Sequence, residues 1–292
     1  MKAARIRSGN DHKTKARVLP FILVLITALA AAAWFLVGQR WWRQRRRLAV
    51  ARAPFPAHWQ SWLRSRTSVY ERVPAQLRER LHQLIQIFVH EKTFVGCNGL
   101  VVTEEMRVVI AAYACLLVLN RRDVPRAHFY DELFSILVYP SPFIVPHSQP
   151  DAHGVVTEGS RVLSGQAWDA RRIILSWQDI EEGLATGHNV VLHEFAHYLD
   201  MEDETMDGAP GLGSEQEYRQ WAEVFWREYE QMHQSLRTGN ATLLDPYAAS
   251  APAEFFAVAT EAFFETPREL EAQHASIYEQ LRRYYRLDPA RW

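Results

Sequence analysis

Residues 18–38, "VLPFILVLITALAAAAWFLVG", run for 21 positions without a charged residue or a histidine. As a helix rising about 1.5 Å per residue, such a run reaches across a hydrocarbon core of roughly 30 Å. It exceeds the apolar stretch of a cleaved leader, about 7 to 15 residues, and a basic cluster follows it, so a membrane-spanning helix is expected. Trp34, Trp41 and Trp42 close the run where an aromatic belt would lie, and "RWWRQRRR" comes next. The tail before the run is basic as well, but the cluster after it is denser and nearer the membrane. That asymmetry favours a single-pass protein with a cytoplasm-facing body.

The charge is distributed to match. The first 47 residues carry eleven Lys or Arg against one acid, Asp11, so a net charge of −1 leaves about −11 on residues 48–292. An acidic body argues against nucleic acid as a partner, because phosphate binding needs a basic face. The chain then divides into a basic tail 1–17, a membrane helix 18–38, a basic juxtamembrane linker 39–56 and one body 57–292. With 48% hydrophobic and 23% charged residues overall, a packed core is expected rather than disorder. Cys97 and Cys115 sit in apolar settings, and two thiols make no disulfide framework, so buried free cysteines are expected.

In the first half of the body, "PAQLRERLHQLIQIFVHEK" and "TEEMRVVIAAYACLLVL" have helical apolar spacing, the second opening on the N-cap candidate Thr103. From about Leu133 the pattern changes to short apolar pieces broken by Pro and Gly: "SILVYP", "PFIVP", "RVLSG" and "RRIILSW". These predict a small sheet ending near Arg172 to Trp177, close before the segment "VVLHEFAHYLD". From Glu215 onward the chain reads as helical apart from a loop around "RTGNATLLDPYAASAP". The fold class is α+β.

"VVLHEFAHYLD", residues 190–200, carries the chemistry. With Asn189 or Thr186 as N-cap, it predicts a helix of about three turns without Pro or Gly. His193 and His197, four apart, share a face, so two imidazole nitrogens can bind one tetrahedral Zn²⁺. Glu194 lies about 100° round the helix, able to take a proton from a metal-activated water without being a ligand. The remaining positions are mostly apolar, so the helix is buried and its His and Glu need partners. Asp200, three after His197, could accept the outer N–H of a ligating imidazole.

A catalytic zinc takes three protein ligands and keeps one position open, so a third must come from elsewhere. Position 203 is Asp, which excludes the tight extension with a third His six residues past the second. The best source is "DPYAASAPAEFFAVATEAFFETP", where Pro252 suits a first helical turn and Pro267 a helix end. Apart from Glu265 at its end, Glu254 and Glu261 are the acids of that apolar run. Seven apart, they lie on one face, so one can bind metal while the other braces the site.

From about Pro74 to the C-terminus the chain resembles the Mlc titration factor A family of zinc peptidases, through "YPSPFIVP", "SGQAW", "LSWQDI", "HEFAHYLD" and "DPYAASAPAEFFAV". The resemblance implies a zincin-like metallopeptidase domain with one Zn²⁺ held by His193, His197 and Glu254. It implies Glu194 as general base and Tyr247 as the residue that stabilises the oxyanion; Glu261 is left to brace the site. The family takes its name from sequestering a transcriptional repressor of sugar uptake, so such a regulator is a possible partner beside a peptide or protein substrate. An edge strand such as Arg172 to Trp177 could pair with an extended peptide. Two departures stand out: the membrane helix, and Thr157 where some members have a histidine that approaches the metal, a role that His153 cannot be given.

Overall fold

The computed structural model describes residues 9–121, 124, 129–150, 156–163, 165–169, 172–203 and 205–292. The chain divides into two compact units, Met1–Ala49 and Val50–Trp292. In the first unit the described residues are helical, within α1 (Gly9–Ala51). Ile22, Val24, Leu25, Ile26, Leu29, Trp34 and Phe35 are exposed on that helix. Several side chains of the uncharged run, Phe21 and Leu23 among them, lie outside the described set. Among the described residues no helix is long and apolar enough to cross a membrane.

The second unit begins with α2 (Ala57–Arg66), α3 (Ala75–Glu91), β1 (Thr93–Gly96) and α4 (Glu104–Leu117). Thr103 caps α4, its hydroxyl accepting the Met106 amide at 3.2 Å, with Glu104 and Glu105 at the positive end of the helix. The strand region follows as β2 (Ser135–Tyr139), β3 (Phe143–Pro150), β4 (Val156–Leu163), β5 (Gly165–Asp169) and β6 (Arg172–Ser176). Helices α5 (Trp177–Thr186), α6 (Val190–Asp200), α7 (Glu215–Arg237), α8 (Pro252–Glu265), α9 (Pro267–Gln273) and α10 (Ala275–Tyr285) complete it. The unit is mostly helical with a small sheet, the α+β class expected.

The sheet has the order β1-β2-β6-β5, with β1, β2 and β6 parallel and β5 antiparallel to β6. β3 and β4 form a separate antiparallel pair. Two expectations are corrected by this topology. β1 was not foreseen, because four residues between a helix and a turn are too few to show an alternating pattern. The strand at Arg172 is not an edge: β2 and β5 flank it, and the edge on that side is β5.

α6 crosses behind β5 and β6 and is covered by α4 and α8. Phe195 points into an aromatic cluster, its ring 5.8 Å from Phe88 in a tilted arrangement and 5.1 Å from Tyr130 edge-to-face. Such burial on every side is what an almost continuously apolar helix demands. Cys115 is buried within α4 as expected, whereas Cys97, at the end of β1, is only half-buried.

Residues 50–55, the later part of the segment expected as linker, belong to the second unit and pack on its core. Val50 and Ala51 pack on the core, and the Gln86 amide donates to the carbonyls of Ala53 and Pro54 at 3.1 and 3.3 Å. Phe55 stacks on His82 with ring centroids 3.8 Å apart, and the Tyr70 hydroxyl lies 2.8 Å from His82 Nε2. Burial, with Arg78 nearby, lowers the His82 pKa to about 4, so the folded state holds this ring neutral while the unfolded chain protonates it below about 6.5. Its contribution is complete above pH 6.5 and is lost as pH falls toward 4. The thermal midpoint of His82→Phe should therefore fall less between pH 6.5 and 4 than that of the wild type; parallel curves would refute it.

Candidate metal and catalytic site

Asn189 caps α6, its side-chain oxygen accepting the Leu192 amide at 3.1 Å. Of the two cap candidates it is the one used: Thr186 ends α5, and Gly187, at φ 79°, reverses the chain between the helices. α6 then carries His193 and His197 to one face, their Nε2 atoms 3.1 Å apart. α8 lies across that face because Pro252 begins it and its other residues are nearly all apolar and buried. Its first turn brings Glu254 Oε2 to 3.0 Å from His193 Nε2 and 3.2 Å from His197 Nε2.

These three atoms form a compact donor triangle, the one His/Cys/Asp/Glu group among the described residues suited to a metal ion. An ideal tetrahedron with zinc–ligand distances of about 2.0 to 2.1 Å has edges of about 3.3 Å, so two imidazoles and a carboxylate at this spacing suit Zn²⁺. Two nitrogens and one oxygen leave room for a fourth, non-protein ligand, as in catalytic rather than structural zinc sites.

Glu261 sits two turns further along α8, nearly inaccessible. Its Oε1 lies 2.7 Å from His193 Nδ1, while Oε2 accepts the Asn189 amide at 2.7 Å and faces His188 Nδ1 at 2.9 Å. The His193 ring is thus held between the two carboxylates. Burial alone would lower the His193 pKa, but the bonds to Glu254 and Glu261 prevail and raise it to about 10. Burial likewise opposes ionisation of both carboxyls, yet their histidine partners keep each below its ordinary value. His197 is moved down, first by burial, and its Nδ1 is buried without a hydrogen-bond partner among the described residues.

Glu194 is buried on α6 beside the donor triangle. Tyr247 comes from the 3-10 turn Pro246–Ser250, where Asp245 Oδ1 accepts the Tyr247 amide at 2.8 Å. Its ring lies 6.1 Å from that of His193 and is half exposed. Asp200 has a partner that the sequence expectation did not include. Its Oδ2 accepts the Gly208 amide at 2.9 Å, tying down the loop after α6. Thr157 lies in β4, paired with Gln149, and its side chain is outside the described set, as is the whole of His153.

The sequence reading overlooked His188, Asn189 as a tie to α8, and Asp245. Asn189 Nδ2 also donates to Glu265 Oε1 at 2.7 Å, and His188 Nε2 lies 3.5 Å from Asp245 Oδ2. The available signal was position: a polar pair between a helix-ending glycine and a buried helix has its side chains and amides aimed at whatever crosses there.

The family model for the glucose-regulated metallo-peptidase M90 matches residues 39–286. An uncharacterised protein of Synechocystis sp. is 42% identical over 93% of this chain and 98% of its own length. Mlc titration factor A of Yersinia pestis and that of Yersinia pseudotuberculosis are each 33% identical over 73% of this chain and 78% of theirs. The site therefore sits in a domain of metallopeptidase type. The chain belongs to the glucose-regulated metallo-peptidase M90 family.

A metal at His193 Nε2 must displace the proton held there toward Glu254. Titrating zinc into chelator-treated protein at pH 7.5 should therefore bind one ion and release close to one proton, read by calorimetry in buffers of different ionisation enthalpy. Affinity should rise about tenfold per pH unit between pH 7 and 9. Proton-neutral binding would contradict this account of the site.

Proposed function

We propose that this protein is a zinc-dependent peptidase, with His193, His197 and Glu254 holding one Zn²⁺ and Glu194 serving as general base. The observation that carries the reading is the donor triangle with the buried Glu194 carboxylate beside it. When bound, the ion supplies the Lewis acidity that polarises a scissile carbonyl and acidifies water. Glu194 takes the proton from the attacking water and passes it to the leaving amine. The Tyr247 hydroxyl donates to the oxygen that becomes negative as the carbonyl carbon turns tetrahedral. Glu261 holds the His193 ring through Nδ1, leaving Nε2 for the metal. An extended peptide pairs with β5, the last strand of the sheet and the one beside α6.

Glu194→Gln should lower turnover about 10²- to 10⁴-fold while one zinc per chain is retained. Tyr247→Phe should lower kcat about 10- to 100-fold with little change in KM. Quenched-fluorescent peptides with parallel metal analysis read both; undiminished turnover in Glu194→Gln removes the general-base assignment.

A second reading is favoured by the name of the Yersinia relatives, Mlc titration factor A. Here the body sequesters a transcriptional repressor and peptide cleavage is secondary. Capture of a repressor by the Glu194→Gln protein at wild-type strength supports that role, and capture lost together with turnover counts against it.

We also place the protein on a membrane through residues 18–38, with its body in the cytoplasm. Support comes from the uncharged run, the basic flanks and the apolar side chains exposed along α1. The match to the Synechocystis protein leaves only about 7% of this chain uncovered, too little to omit the whole of residues 1–38. The full chain should stay with membranes in alkaline carbonate, and residues 48–292 alone should not. Cys97, half-exposed, should react with an impermeant maleimide in inverted vesicles but not in intact cells; the opposite labelling would reverse the orientation.

A further inference from the structure

Three ties join the start of α6 to α8: the Asn189 amide on Glu261, the Asn189 side chain on Glu265, and the His193 ring on Glu261. His188 adds something that none of these supplies. Its Nδ1 faces Glu261 Oε2 at 2.9 Å and its Nε2 faces Asp245 Oδ2 at 3.5 Å. Asp245 in turn caps the 3-10 turn that carries Tyr247, through the Tyr247 amide at 2.8 Å and a backbone bond from the Ala248 amide to its carbonyl at 2.9 Å. The imidazole therefore bridges two carboxylates, one behind the metal-ligand histidine and one under the tyrosine.

The backbone fixes where that imidazole starts. Gly187 takes the left-handed φ of 79° that ends α5, and the His188 carbonyl then lies so close to Gly183 that a Cβ there would stand 2.1 Å from it. The pair of glycines turns His188 back over α5 toward the site. An imidazole hydrogen-bonded to one carboxylate and 3.5 Å from a second is favoured in its protonated form, and its pKa is raised, chiefly by the bond to Glu261.

We propose that His188 is a positioning residue that locks the Tyr247 turn to Glu261, so that the phenol is held in register with the His193 side of the metal site. The inference rests on Tyr247 being the oxyanion donor of the proposed peptidase. In this role His188 acts through Asp245 on the turn.

The test uses the detergent-solubilised full chain carrying His188→Ala or Asp245→Asn. The second keeps an oxygen to cap the turn but removes the charge that faces His188. Hydrogen exchange of the chelator-treated protein should quicken about tenfold at the Tyr247 and Ala248 amides in both variants and stay unchanged along α8. The zinc dissociation constant, from competition with a chromophoric chelator, should stay within about threefold. With a quenched-fluorescent peptide, kcat should fall about tenfold and KM change less than about twofold. In the Tyr247→Phe background, His188→Ala should cost less than about twofold in kcat, because the group it positions is gone.

Unchanged exchange in the turn overturns the proposal. So does a loss of zinc affinity matching the loss of kcat, which would mean that His188 acts through Glu261 alone. An undiminished kcat loss in the Tyr247→Phe background overturns it as well. If Tyr247→Phe by itself leaves kcat intact, the oxyanion assignment fails, and the exchange measurement still decides whether His188 holds the turn.

Discussion

The His193 ring, held between Glu254 and Glu261, is the contact on which the arrangement of α6 and α8 depends. Both carboxylates project from a helix whose other residues are nearly all apolar and buried. Burying an ionised carboxylate costs several kcal/mol unless hydrogen-bond donors replace the water removed. Glu261 meets that demand with three nitrogens, from His188, Asn189 and His193, and Glu254 meets it with two imidazoles. Every one of these donors lies on α6 or in the two residues before it. A slide or rotation of one helix against the other would strand at least one buried charge, at about 3 to 5 kcal/mol. The apolar faces alone would tolerate several packings, so the polar contacts select one.

That selection is also what makes the site chemically usable. A ring gripped at Nδ1 presents Nε2 in a fixed direction, and Glu254 Oε2 arrives at both Nε2 atoms because the second carboxylate, two turns along, has fixed the rotation of α8. Positioning and stability here come from the same atoms. His197, by contrast, has no hydrogen-bond partner at Nδ1 among the described residues, so its orientation comes from packing in the core.

Much of this could be read from the sequence, for definite physical reasons. The helix over residues 190–200 was legible because apolar residues surround a pair of histidines at helical spacing. Glu254 and Glu261 were legible because acids in an apolar run must be partnered, and seven residues place them on one face. Which of the two reaches the histidines' Nε2 atoms is a matter of crossing geometry, and spacing alone left it open. β1 and the edge position of β5 were hidden because strand order is set by long-range pairing, which a four- or five-residue run does not encode. The tie from Asp200 to the Gly208 amide was not legible, because its spacing from His197 points to a contact within the helix and a loop partner leaves no periodic mark. His188 was missed because a half-exposed histidine in a turn has no periodic pattern to mark it.

The two halves of the site are far apart in sequence, and the segment between them must return α8 to α6 without slack. It does so through contacts at both ends of the excursion. Leaving α6, the chain is caught by Asp200 at the Gly208 amide, and Trp221 of α7 donates to the Gly208 carbonyl at 2.8 Å. Gly208, at φ 83°, packs so tightly on the Pro252 carbonyl that a Cβ would lie 2.5 Å from it. The exit from α6 and the entry to α8 therefore touch at one residue that has to be glycine. On the approach to α8, the Tyr229 hydroxyl donates to the Ala249 carbonyl at 3.0 Å, which seats the Tyr247 turn on the same helix. Helix α7 is thus the strut that holds the ends of the excursion. Asp200, buried in the core, contributes to the site by closing the loop that brings Glu254 back to the histidines.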